Sequence, residues 1–183
     1  MARTKKTAEL DPVVYAAKAI TNSLQARQKP TAITAEEHKT ICDAKAILRR
    51  QLKRSQAAIT GAATAADYLQ LQIGAWDREV VYVLYLDQRH HVIGEEPLFF
   101  GGINECAIDV RVLLAKALGH GGVVALILAH NHPSGSLEPS QADIHITDKI
   151  RGACEIVGIN LLDHLIVSPL GHTSLAALSL GGL

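Results

Sequence analysis

His130-Asn131-His132, followed by Ser140 and Asp143, is the part of this chain whose residue types and spacing can do chemistry. Two imidazoles one residue apart at the end of a strand point to the same side of it. A carboxylate on the first turn of the next helix can reach back across the seven-residue loop 133–139 to the same point. Three such ligands on a divalent metal leave a fourth position for water, which is the arrangement of a catalytic zinc site in a hydrolase. Each piece alone has a plainer use. Ser140-Gln141-Ala142-Asp143 is also a helix N-capping pattern, and a lone histidine is more often hydrogen-bonded or solvated than a ligand. The combination, with strand before and helix after, is what singles out a metal site.

The elements that must position these residues can be read outward from them. Val123 to Ala129 is a continuous apolar run after Gly121-Gly122, as expected of a strand buried on both faces, with His130 and His132 just past its end. Two prolines and a glycine between Pro133 and Pro139 redirect the backbone, and Ser140 then opens a helix to about Gly158 with an apolar stripe through Ile146, Ile150 and Cys154. From Gly61 onward the expected order is a helix near Thr64 to Gln72, strands near Glu79 to Leu86 and His91 to Leu98, a helix near Cys106 to Leu118, the strand and helix just described, and strands near Asn160 to Val167 and Thr173 to Leu175. This alternation is α/β or α+β, with a mixed β-sheet and flanking helices. Among the remaining histidines, His90-His91 falls in a hairpin turn with Asp87, and His145 projects to a different side of its helix from Asp143. His164, inside an apolar strand, reads by default as a hydrogen-bonded core histidine, and alternatively as a partner that holds a zinc ligand.

Charge divides the chain. Residues 1–60 carry 12 Lys and Arg against 5 Asp and Glu, a net of +7, and residues 61–183 carry −7, so the neutral total conceals two opposite halves. Residues 1–60 read as a basic helical N-terminal extension, with helices about Asp11 to Gln28 and Ala35 to Ser55, the second opened by a capping box of Thr34 and Glu37. Arg49, Arg50, Lys53 and Arg54 cluster near that helix's end, where they can meet DNA phosphates, complement the helix dipole or dock on the acidic domain. Cys42, Cys106 and Cys154 form no CxxC, so reduced thiols in a cytoplasmic protein are expected rather than disulfides. No membrane partner is expected, since no apolar stretch approaches a spanning length.

The stretch Ala129-His130-Asn131-His132-Pro133-Ser134-Gly135, continued by Pro139-Ser140-Gln141-Ala142-Asp143, resembles the JAMM motif of the JAB/MPN metallohydrolases, in particular their RadC-like bacterial branch. Val83 to Asp87, Leu98 to Gly102, Leu161 to Val167 and Ser174-Leu175 extend the resemblance from about Thr60 to the C-terminus. It implies a JAB/MPN, cytidine-deaminase-like architecture over residues 61–183, with zinc held by His130, His132 and Asp143. It further implies hydrolysis of an amide in a peptide or protein substrate, with Ser140 stabilising the oxyanion. The family also places a general base, a glutamate, on an earlier strand. Spacing to Gly101 favours Glu96 for that role by resemblance, and simple alternation, which puts Glu96 on one face with Val92 and Leu98, agrees; Glu95 is the alternative. Gly101-Gly102 and Val110-Arg111-Val112 depart from the family pattern and bear on partner contacts and helix entry more than on the metal. The family's name suggests DNA repair, so the alternative function is a DNA-associated accessory protein whose metal domain is structural or binds a partner.

Overall fold

The structure is a computed structural model that describes residues 34–54, 62–101 and 108–180. The expected helix at 11–28 and the first two residues of the expected helix at 106–118 lie outside the described residues, and the latter helix starts later than expected, at Val110, because Asp109 is extended and caps it by accepting from Arg111 N–H. Five helices are described, α1 (Ala35–Arg54), α2 (Ala62–Ile73), α3 (Val110–Gly119), α4 (Gln141–Ile156) and α5 (Leu175–Leu180). They flank five strands, β1 (Val80–Leu86), β2 (Val92–Phe100), β3 (Ala125–Asn131), β4 (Asn160–Ser168) and β5 (Gly171–Ser174).

The sheet runs in the order β2-β1-β3-β4-β5. β1 is antiparallel to both neighbours, β3 and β4 are parallel through the crossover helix α4, and β5 returns antiparallel. This is the mixed sheet with flanking helices that the alternation of elements leads to. Its central strands are buried along their whole length because both faces are covered. Val80, Tyr82, Leu84 and Leu86 of β1, with Ala125, Ile127 and Ala129 of β3, pack on one side with Leu48 of α1 and Tyr68, Leu69 and Ile73 of α2. The residues between them, Val83, Tyr85, Leu126 and Leu128, pack on the other side with Leu113 of α3 and Ile150 and Cys154 of α4. The period of two thus sends His130, two positions past Leu128, to the α4 side.

Two helix starts form as their residues require. The Thr34 backbone N–H and hydroxyl both donate to Glu37 at 2.8 Å, and Glu37 N–H returns to Thr34 Oγ1 at 3.2 Å. Ser140 and Asp143 make the same reciprocal box at the start of α4. α1 is further held to the sheet by Arg49, whose guanidinium pairs with Glu95 of β2, while the Tyr68 hydroxyl donates to the same carboxylate at 2.5 Å. Burial, together with that carboxylate, pushes the Tyr68 hydroxyl far above its ordinary range. One of the four clustered cations, Arg49, is therefore paired with a carboxylate of the sheet while its side chain stays half exposed. No helix among the described residues is long and apolar enough to cross a membrane.

Strand limits differ from expectation in ways that matter for the site. β3 extends to Asn131, so His130 lies within the ladder, opposite Val81 on one side and Ile166 on the other, rather than beyond its end. β2 continues past Pro97 to Phe100, with irregularities between the Val81 and Tyr82 pairings and between the Tyr85 and Leu86 pairings. The second breaks the alternation: Val92 packs with Leu84 and Leu86, yet Glu96 pairs with Val83 on the opposite face. It is Glu95, not Glu96, that shares a face with Val92, against the simple alternation.

Candidate metal centre

His130, His132 and Asp143 come together. His130 Nε2 stands 3.0 Å from His132 Nε2 and 3.2 Å from Asp143 Oδ1, and His132 Nε2 is 3.7 Å from Asp143 Oδ2. The parallel β3-α4-β4 crossover produces this convergence by returning the first turn of α4 over the end of β3. Gly135 makes the intervening turn possible: its φ of 80° lies where only glycine is unstrained, and its N–H closes onto the His132 carbonyl at 2.8 Å. The turned-back chain brings the Ser136 carbonyl to 3.1 Å from His132 Nδ1. A carbonyl can only accept, so the His132 proton that meets it sits on Nδ1, which leaves Nε2 as the nitrogen able to offer a lone pair to the cluster.

The Asp143 carboxyl is held well below the usual carboxylate range. Burial opposes its ionisation, but the His130 imidazole beside it, with the Ser140 hydroxyl and N–H, outweighs that cost. Ser140 Oγ donates to Asp143 Oδ2 at 2.6 Å and accepts from Asp143 N–H at 3.1 Å, so its hydroxyl proton now orients the carboxylate. On the inner side, His130 Nδ1 meets His164 Nε2 at 2.8 Å, and His164 Nδ1 meets Thr147 Oγ1 at 2.6 Å. His164 is thus joined to a candidate ligand, which is the alternative reading of that residue. Burial first, and the neighbouring histidines second, bring the His164 imidazole down to about 3, so it is neutral.

Glu96 lies elsewhere. Its carboxylate accepts from the Tyr85 hydroxyl at 3.1 Å and pairs with Lys116 Nζ at 3.0 Å, with His120 at 3.9 Å. Paired with Val83, while His130 pairs with Val81, it is two strands and two residues away from His130. At normal strand spacing that is about 12 Å between Cα atoms. The carboxylate that does share the site is Glu79, whose ligand atom lies within 4.8 Å of those of both His130 and His132. Glu79 immediately precedes β1, two residues before Val81, the partner of His130, and continuing that antiparallel register puts it level with His132. Asn131, between the two histidines and pointing the other way, fixes that stretch. Its Oδ1 accepts from Val80 N–H at 2.8 Å, and its Nδ2 donates to the carbonyls of Arg78 at 3.0 Å and Trp76 at 3.2 Å. The signal for Glu79 was present in the sequence, as an acid directly ahead of the apolar run Val80–Leu86 that pairs with the HxH strand.

The donor set fits a small divalent cation. Zinc bonds of about 2.0–2.1 Å at tetrahedral angles put neighbouring ligand atoms about 3.3 Å apart. The separations of 3.0, 3.2 and 3.7 Å bracket that value.

The RadC-like JAB domain profile matches residues 59–180. A UPF0758 protein of Leptothrix cholodnii is 43% identical over 117 residues, 64% of this chain and 51% of its own length. A UPF0758 protein of Pseudoalteromonas translucida is 48% identical over 101 residues, 55% of this chain and 45% of its own. UPF0758 protein YfjY of Escherichia coli is 40% identical over 129 residues, 70% of this chain and 80% of its own. The chain spans about half the length of the first two.

Proposed function

The chain belongs to the RadC-like JAB domain family, a metal-binding, hydrolase-like fold, and from that premise we propose that it is a zinc-dependent hydrolase of peptide or isopeptide bonds. The observation that carries this reading is the convergence of His130 Nε2, His132 Nε2 and Asp143 Oδ1, with Glu79 beside them. When bound, zinc supplies a Lewis acid that lowers the pKa of its water and polarises a carbonyl. His130, His132 and Asp143 hold it, and they come from three places along the chain that the β3-α4 connection fixes relative to one another.

Glu79, in place of Glu96, is the base in this reading. Its carboxylate takes the proton of the attacking water and can return it to the nitrogen of the leaving amine, so that one group serves as base and then acid. Asn131 holds the backbone on both sides of Glu79, which keeps the carboxylate level with His132. The Ser140 hydroxyl, which here donates to Asp143, is the donor available to an oxyanion if it turns from the carboxylate to the substrate. Glu96 is left to the Lys116 ion pair.

The test is metal content of protein purified without chelator or a metal-binding tag, for wild type, Asp143→Ala and a His130/His132 double alanine variant. The expected result is about one zinc per chain in the wild type and none in either variant. Folded wild-type protein that takes up no zinc when zinc is supplied would overturn the proposal.

A further inference from the structure

We propose that Thr147 and His164 form a proton-ordered relay that forces the Nε2 lone pair of His130 toward the metal, and so act as positioning residues for zinc; this rests on the zinc reading above. The relay is a single buried chain of contacts. Thr147 Oγ1 lies 2.5 Å from the Asp143 carbonyl oxygen and 2.6 Å from His164 Nδ1, and His164 Nε2 lies 2.8 Å from His130 Nδ1. Thr147, His164 and His130 are 2%, 1% and 2% exposed, which leaves the polar atoms of the chain to satisfy one another.

Counting protons orders it. The Thr147 hydroxyl has one hydrogen and two short neighbours. If it donated to His164, its oxygen would face the Asp143 carbonyl lone pair to lone pair at 2.5 Å, a repulsive contact. Donation to the carbonyl removes that clash and obliges His164 Nδ1–H to donate to Oγ1. His164 Nε2 is then an acceptor and His130 Nδ1–H donates to it, so a His130 that gives its other nitrogen to a metal has its single ring proton on the inner side. Only Nε2 remains, directed at His132 and Asp143. The relay starts from the backbone carbonyl of the residue whose carboxylate is itself a candidate ligand. The start of α4 therefore supplies one ligand directly and sets the tautomer of another.

The experiment uses full-length protein loaded with zinc. Zinc affinity is read by competition with a chromophoric chelator for wild type, Thr147→Val, Thr147→Ser, His164→Phe and His164→Gln. Long-range ¹H–¹⁵N imidazole spectra of the wild type report which nitrogen of His164 carries the proton. Loss of an outer partner of a metal-bound histidine typically weakens metal affinity about 10–100-fold. Thr147→Val and His164→Phe should weaken zinc binding by that factor. Thr147→Ser keeps the hydroxyl, and His164→Gln offers an oxygen to His130 and an N–H to Thr147, so each should restore most of the affinity. The His164 proton should be on Nδ1. A proton on Nε2, or equal affinity in Thr147→Val and wild type, would overturn the relay while leaving the zinc site standing. A wild type that binds no zinc would overturn the reading beneath it. Thr147→Ser keeps the hydroxyl, and the tautomer measurement needs no variant, so a misfolded His164→Phe does not remove the test.

Discussion

Replacing Glu79 by glutamine separates the two carboxylates that compete for the role of base. The side chain keeps its size, and the backbone around it stays held by Asn131 through Val80 N–H and the Arg78 carbonyl, so the change falls on proton acceptance alone. A positioned general base is worth about 10²–10⁴ in rate, or about 3–5 kcal/mol of barrier. Glu79→Gln should therefore lower turnover by at least a hundredfold, with zinc retained, because His130, His132 and Asp143 are untouched. Glu96→Gln removes the 3.0 Å pairing with Lys116, whose side chain is 50% exposed. Such partly exposed pairs contribute at most about 1 kcal/mol to stability. With Glu96 about 12 Å from His130 by strand spacing, turnover should stay within about twofold of wild type. The assay is cleavage of a mixed peptide and isopeptide library by the zinc-loaded proteins, scored by mass spectrometry, with zinc measured on the same samples. Full activity in Glu79→Gln, or an equal loss in Glu96→Gln, would refute the assignment.

Two further outcomes follow from the same geometry. Asn131 is buried and spends its amide on the main chain beside Glu79, so Asn131→Leu strands Val80 N–H and the Arg78 carbonyl. At about 1–3 kcal/mol for each buried group left unpaired, the loss should be about 3 kcal/mol, seen as a lower urea midpoint; an unchanged midpoint would contradict the role given to Asn131. Burial pushes the Cys154 thiol up to about 11, while Cys42 is exposed. Iodoacetamide at pH 8 should alkylate Cys42 in the native protein and spare Cys154 until denaturant is added, and peptide mapping that finds both modified at equal rates would show that the α4 face opens readily.

Local chemistry in the chain is sufficient for several features. A capping box needs two side chains three residues apart, and both Thr34-Glu37 and Ser140-Asp143 form one. A period of two in an apolar run states which residues share a face, and that places His130 with Leu126 and Leu128 on the α4 side. The spacing of HxH and Ser-x-x-Asp likewise names the residues that meet, because strand, turn and helix between them are contiguous and each is specified by its own residues.

What depends on pairing across the sheet was decided only by tertiary structure. A residue's neighbours on adjacent strands follow from register, and one extra residue in a ladder reverses the face of everything beyond it. The irregularity between the Tyr85 and Leu86 pairings is enough to put Glu95 and Glu96 on the faces opposite to those that simple alternation assigns. The same register carries Glu79, fifty-one residues before His130, to the level of the histidines. His164 and Thr147 meet His130 because β4 lies parallel to β3 and α4 crosses between them. The sequence by itself determined which short segments fold and which residues within one segment converge. Which carboxylate faces them, and which histidine stands behind them, was settled by contacts between segments, where the energy of packing and hydrogen-bond satisfaction selects one register over others that local propensity leaves equal.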